Sequence, residues 1–289
     1  MLLGYSRDTL NRNHALSSPE SEGFVTSISN STVDLYYEEY GDGEPLILIP
    51  GLAAGRWIWL KQVLQLSEHF RVITFDPRGI GLSPLNSEPI TIPLLAEDVA
   101  ALLRRLRIER AHILGASFGG FVAQEFASAN PEMTRSLILS CTSFGGPNHV
   151  APPLENLRAM ASTVGFNTEE RIRRILLPAF SSDFVRDHPE EIEKTVKLRL
   201  SNPVVEAAYQ AQLTAAVRFN TEPKLGAIKA PTLVLSGDSD AIVPVQNSRN
   251  LASTIPGAKL RIIEGGSHLF FIERPKEFNR SVIEFLKEH

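Results

Sequence analysis

Ala111-His112-Ile113-Leu114-Gly115-Ala116-Ser117-Phe118-Gly119-Gly120 joins two periodicities. Its first half is a short, continuous apolar run, the signature of a strand buried on both faces. From residue 118 to 129 the pattern turns helical, and Pro131 stands just beyond it. At the junction, Gly115-Ala116-Ser117-Phe118-Gly119 matches G-x-S-x-G in the strand–turn–helix setting that gives this motif its meaning. So sharp a turn strains its central residue. Glycines at 115 and 119 remove side chains that would collide across it. The Ser117 oxygen is then held at a helix N-terminus, where free N–H groups and the helix dipole favour developing negative charge. A glycine-rich turn without chemistry is the alternative reading, and the strand and helix on either side argue against it.

Outward from this turn the same grammar repeats. Leu46-Ile47-Leu48-Ile49, Arg71-Val72-Ile73-Thr74-Phe75, Leu137-Ile138-Leu139, Thr232-Leu233-Val234-Leu235 and Lys259-Leu260-Arg261-Ile262-Ile263 are further strand-like runs. Nearer the N-terminus, Val25, Ile28, Val33, Leu35, Tyr37 and Tyr40 are spaced like two antiparallel strands, followed by the turn signal Gly41-Asp42-Gly43. Helical patterns alternate with the runs. Leu94, Leu95, Val99, Leu102, Leu103 and Leu106 recur at intervals of three and four, and residues 245–254 and 275–287 read as two more helices. Strands alternating with helices predict a mostly parallel α/β sheet with helices on both faces and right-handed crossovers. Residues 145–223 interrupt the alternation. They read as helices, for example 169–177 and 189–200, in a segment too long for a plain connection. We therefore expect a polar, Ser-rich and poorly ordered arm over 1–22, a core built from 23–144 and 224–289, and a helical insertion over 145–223, placed over one edge of the sheet.

Composition narrows the classes. The 289 residues suffice for a large core without covalent staples, and 43% hydrophobic with 21% charged residues is ordinary for a globular chain. With 29 Lys and Arg against 33 Asp and Glu, the net charge of -4 gives no reason to expect nucleic acid or an anionic membrane as partner. The single cysteine, Cys141, cannot form an internal disulfide and reads as a packed thiol at the end of an apolar run. No apolar stretch approaches the roughly 20 residues of a membrane span. The N-terminus shows no apolar leader core, so a soluble, cytoplasmic protein is expected. Oligomeric state is not legible.

A serine hydroxyl needs a base to take its proton. Of the seven histidines, His14 and His289 lie near the ends, His69 and His188 in charged helical surroundings, His112 at a strand start and His149 in a Pro-rich stretch. His268 follows the last strand in Gly265-Gly266-Ser267-His268, a loop able to carry a ring over the sheet end. An acid must fix its tautomer and stabilise its cation. Two aspartates compete in Gly237-Asp238-Ser239-Asp240. Asp238, nearer the strand end, suits a bond to the turn backbone, which leaves Asp240 as the choice. The chain order Ser, Asp, His and the placement at carboxyl ends of parallel strands are those of an open α/β site.

Here a resemblance becomes explicit. Over about residues 24–287 the sequence resembles the α/β-hydrolase family. Beyond the serine turn, Asp76-Pro77-Arg78-Gly79-Ile80-Gly81-Leu82-Ser83 is similar to the family's D-x-R-G-x-G-x-S segment. Gly237-x-x-Asp240-x-x-Val243-Pro244 is similar to its acid loop, and the strand ending at Pro50-Gly51-Leu52 to its oxyanion loop. The family usually has histidine where this chain has Pro50, so the loop's support must differ. The resemblance implies an eight-stranded, mostly parallel sheet, a helical cap over 145–223, and oxyanion donors in the backbone N–H groups of Leu52 and Phe118. It also makes Trp57, Phe144, Phe180 and Tyr209, with Phe166 and Phe184, candidate pocket walls, although cap core is the more natural place for any one of them.

No G-x-x-x-x-G-K-[ST] phosphate loop, H-E-x-x-H pair or complete dinucleotide glycine motif occurs. Neither metal nor organic cofactor is expected. The resemblance implies hydrolysis of a small-molecule carboxylic ester or lactone, with affinity to enol-lactonases and small carboxylesterases. C–C bond hydrolysis, cofactor-free perhydrolysis and a non-catalytic small-ligand receptor stand as alternatives on the same fold.

Overall fold

The computed structural model describes residues 34–161 and 165–289. In chain order its elements are β1 (Tyr37–Tyr40), β2 (Glu44–Ile49), α1 (Leu60–Ser67), β3 (Phe70–Phe75), α2 (Ile92–Arg105), β4 (Ala111–Ala116), α3 (Phe118–Ala129) and β5 (Thr134–Ser140). There follow α4 (Leu154–Ala161), α5 (Thr168–Leu176), α6 (Ser182–Asp187), α7 (Pro189–Ser201) and α8 (Glu206–Arg218). The chain closes with β6 (Thr232–Gly237), α9 (Gln246–Thr254), β7 (Lys259–Ile263), α10 (Phe270–Glu273) and α11 (Pro275–Leu286). The described strands form one seven-stranded sheet in the order β1-β3-β2-β4-β5-β6-β7. Only the pairing of β1 with β3 is antiparallel. The expected count of eight is corrected to seven for the described residues. The strand read over residues 25–33 and the N-terminal arm lie outside them.

The continuous apolar runs are explained by burial on two sides. In β2, Ile47 and Ile49 join one core cluster while Leu46 and Leu48 join the other. The period of two in a strand puts successive side chains on opposite faces. One face is covered by α2 and α3, through Leu95, Val99, Leu103, Val122 and Phe126. The other is covered by α1, α10 and α11, through Val63, Leu66, Phe270, Phe278 and Val282. Helix α2 begins where the Thr91 side chain accepts from the Leu94 N–H, and it ends in Arg104 and Arg105, cations suited to a helix C-terminus.

From β2 the chain steps to β3 on one side, then returns to place β4 on the other side of β2. Such a reversal opens a crevice at the carboxyl ends of the two strands. The loop after β2 and the turn after β4 meet there. The helices α4 to α8 separate β5 from β6 and reach the loops at these same ends. Gly81 N–H donates to the Pro203 carbonyl (2.8 Å), Leu269 N–H to that of Ala179 (2.9 Å), and the Asn156 amide to that of Ala241 (2.6 Å).

Candidate active site

Ser117 has φ 54 and ψ -120, a conformation that a non-glycine residue adopts only under constraint. The constraints are visible. The Ser117 N–H donates to the Ser140 carbonyl (2.9 Å), and the Ser117 carbonyl accepts from the Gly120 N–H and the Thr142 hydroxyl (both 2.8 Å). A Cβ on Gly115 would stand 2.2 Å from the Gly119 carbonyl oxygen, and one on Gly119 would stand 2.3 Å from that of Ile49. The turn closes this tightly only with glycine at both positions.

The three residues selected from sequence come together here. Asp240 is buried. Its Oδ1 accepts the N–H groups of Ile242 (2.8 Å) and Val243 (2.7 Å), and its Oδ2 lies 2.8 Å from His268 Nδ1. Two backbone donors offset the cost of burying this carboxylate. His268 Nε2 lies 3.0 Å from Ser117 Oγ. With a proton on Nδ1, the ring satisfies Asp240 and turns the lone pair of Nε2 to the hydroxyl. The loop carrying the ring is tied down, with Ser267 Oγ donating to the Ala179 carbonyl (2.8 Å) and the Ser267 N–H to Glu273 (3.2 Å). Asp238 is exposed, and its Oδ1 accepts from the Gly265 N–H (2.7 Å), so it ties the two loops together.

The D-x-R-G-x-G-x-S segment forms a buried polar network. Buried Asp76 accepts from the backbone and guanidinium of Arg56 and from the Leu82 N–H, while Arg78 makes a two-pronged contact with buried Asp98. Desolvation raises the pKa of both carboxylates against the pull of these partners.

Ser117 and His268 open onto a cavity lined by the loop after β2, the serine turn and the helices α5, α7 and α8. Its walls are mainly apolar. Leu52, read from sequence as part of the oxyanion loop, and Trp57 and Tyr209, read as candidate walls, are among the residues that line it. The N–H of Phe118 is the first of α3 and has no partner within that helix. Phe144 and Phe180 are corrected: neither lines the cavity. Phe144 is packed in the core with α3 and Phe219, and Phe180 stacks on Phe184 at 5.5 Å. Phe166 is likewise engaged elsewhere, under the Arg174 guanidinium.

Sequence reading missed the walls supplied by Ile58, Leu176, Ile242 and Phe271, and above all Arg199 of α7. One Arg199 N–H donates to the Asn202 carbonyl (3.1 Å), and no ion pair to a carboxylate forms among the described residues. Burial pushes its pKa down, to about 10, which leaves the side chain cationic at neutral pH. Arg199 is thus a half-buried cation without an ion-paired carboxylate among the described residues, on the wall of a mainly apolar cavity. Among the described residues, no group of three or more His, Cys, Asp or Glu is placed to hold a metal ion, and no helix is long and apolar enough to cross a membrane.

This arrangement of sheet, serine turn and strand-end loops is that of a known family. Residues 44–275 match the model of the alpha/beta hydrolase fold, and the chain belongs to the α/β-hydrolase family. A poly(3-hydroxyalkanoate) depolymerase from Ectopseudomonas oleovorans is 32% identical over 244 residues, 84% of each chain. Among solved structures, a thermophilic esterase from Thermogutta terrifontis shares 29% identity at a TM-score of 0.79, covering 93% of this chain and 99% of that one. The enol-lactonase from Burkholderia xenovorans LB400 shares 26% identity at a TM-score of 0.79, over 91% and 99%.

Proposed function

We propose that this chain is a serine hydrolase that cleaves a carboxylic ester or lactone of a small molecule through an acyl-Ser117 intermediate. The observation that carries the reading is the unbroken hydrogen-bonded relay from Asp240 through His268 to Ser117, opening on an apolar cavity. His268 takes the Ser117 proton as Oγ attacks the carbonyl carbon, and then donates it to the departing alcohol oxygen. Asp240 holds the ring and stabilises its cation. Water enters, gives a proton to His268 and attacks the acyl carbon, releasing the acid and restoring the serine. The N–H groups of Leu52 and Phe118, with the dipole of α3, receive the oxyanion. Residues 145–223 act as a cap whose helices α5, α7 and α8 complete the pocket, and Arg199 there receives an anionic group of the substrate. The depolymerase, esterase and enol-lactonase among its relatives support this reaction class.

Treatment with a fluorophosphonate followed by mass spectrometry tests the reading. A single adduct on Ser117 that disappears in Ser117→Ala is the expected result. Wild-type protein that takes no adduct and hydrolyses no short ester or lactone would overturn it.

A further inference from the structure

The loop after β2 is held from a direction that the sheet does not supply. Proline at position 50 has no N–H and no polar side chain, so this residue cannot tie the loop down. The loop turns back on itself, with the Ala54 N–H donating to the Gly51 carbonyl (3.2 Å). Within that turn Ala53 has φ 53, a left-handed conformation that a non-glycine residue keeps only when its surroundings over-determine it. The Ala53 N–H donates to the Oε1 of Gln212 at 2.8 Å, a bond between residues 159 positions apart. Gln212 lies on α8 and is buried, 1% exposed.

The geometry ties three things together. Gly51 lies against Ser117, since a Cβ built on it would stand 3.4 Å from the Ser117 Cβ. Leu52, Ala53 and Tyr209 line the same cavity as the serine. Tyr209 and Gln212 stand three positions apart on α8, and so share one helix face. Helix α8 is itself anchored, because the Val205 N–H at its start donates to the Gly79 carbonyl (3.0 Å) and a residue just before it, Pro203, accepts from the Gly81 N–H (2.8 Å).

We propose that Gln212 is a positioning residue for the oxyanion hole: its amide oxygen fixes the Leu52–Ala53 peptide, and with it the neighbouring Leu52 N–H, beside Ser117. Gln212 touches neither substrate nor reacting atoms and acts through the loop alone. The role rests on the acyl-serine reading above. It replaces the support that a donor at position 50 would give, and it makes the helical segment between β5 and β6 part of the catalytic geometry as well as a wall.

The test compares wild type, Gln212→Leu, which keeps the bulk and removes the acceptor, and Gln212→Glu, which restores an acceptor oxygen. A mispositioned group far from the chemistry costs up to about 100-fold in rate. Gln212→Leu is therefore expected to lower kcat for a short p-nitrophenyl ester by about 10- to 100-fold, with KM and Tm close to wild type and slower phosphonylation of Ser117. Gln212→Glu is expected to recover most of the lost kcat. Should Gln212→Leu not fold, Gln212→Asn, with the acceptor withdrawn by one methylene, carries the same expectation. Wild-type kcat in a folded Gln212→Leu overturns the proposal, and so does a loss confined to KM or Tm, which would mark a structural role. Wild-type enzyme that neither labels nor turns over would remove the reading beneath it, a result distinct from an active enzyme indifferent to residue 212.

Discussion

The loops at the strand ends and the helical segment between β5 and β6 contribute to one cavity by different physics. Ser117, Asp240 and His268 each sit within a few residues of a strand terminus; Asp240 is fixed by the adjacent backbone N–H groups, Ser117 by the end of β5, and the His268 loop also by Ala179 of the helical segment. Arg199, Tyr209 and Gln212 reach the same cavity or its loop from helices whose position depends on docking across the chain. On the proposed reading, the first region holds the reacting groups mainly through strand-end geometry, and the second shapes what is admitted to them. That division predicts that substitutions in the first act on turnover, and substitutions in the second on selectivity or on the loop they hold.

The largest effect belongs to the serine and its base. Ser117→Ala and His268→Ala are each expected to lose on the order of 10⁵-fold or more in kcat, with circular dichroism and Tm unchanged. Near-normal turnover in either would dissolve the comparison, since the strand-end loops would then hold no chemistry. Asp240→Asn is expected to cost on the order of 10⁴-fold by leaving His268 in the wrong tautomer. Asp238→Asn should change little beyond a small loss of stability, because Asp238 bonds the Gly265 N–H and not the ring. A larger loss in the position 238 variant than in the position 240 variant would exchange their roles.

On the side of the helical segment, Arg199→Met should act on preference. Paired esters of one alcohol, one acyl chain ending in a carboxylate and the other in a methyl group, measure it. A hydrogen-bonded charge contact is worth about 1.5–3 kcal/mol, or about 10- to 100-fold. The wild-type ratio of kcat/KM for the carboxylate ester over the neutral one is expected to fall by that factor in the variant. A wild type without any such preference would leave the Arg199 guanidinium without a substrate role.

How far each region was legible in sequence follows the same division. Gly115, Ser117 and Gly119 announce themselves as a motif; at Gly115 the steric limit acts against Gly119, near in the chain, whereas at Gly119 it acts against Ile49 at the end of β2. The strands were legible because burial on both faces demands uninterrupted apolar runs. Helices between β5 and β6 were legible, and α5 and α7 fall close to where periodicity put them. Which helix face meets the serine was not legible, because amphipathic spacing reports that a side is buried and not against what. Arg199 reads in sequence as one more surface cation among Lys197, Leu198 and Leu200. Only its docked position makes it an uncompensated charge. Gln212 carries no motif at all, and the substitution of proline at position 50 was the one hint that the loop's support had to come from elsewhere.

The aromatic residues of this segment sharpen the comparison by the smallest effect. Phe180 stacks on Phe184 and packs into the core, whereas Tyr209 faces the cavity. Phe180→Leu should therefore act as a core substitution, costing on the order of 1 kcal/mol and lowering Tm by about 2–4 °C, with KM unmoved. Tyr209→Ala should raise KM for the preferred ester, because it removes part of the wall. Thermal melts and steady-state kinetics on the two variants separate these outcomes. A KM effect at position 180 as large as that at 209 would mean that the stacked pair turns toward substrate when the cavity is filled. The boundary between wall and core would then be set by the ligand and not by the free fold.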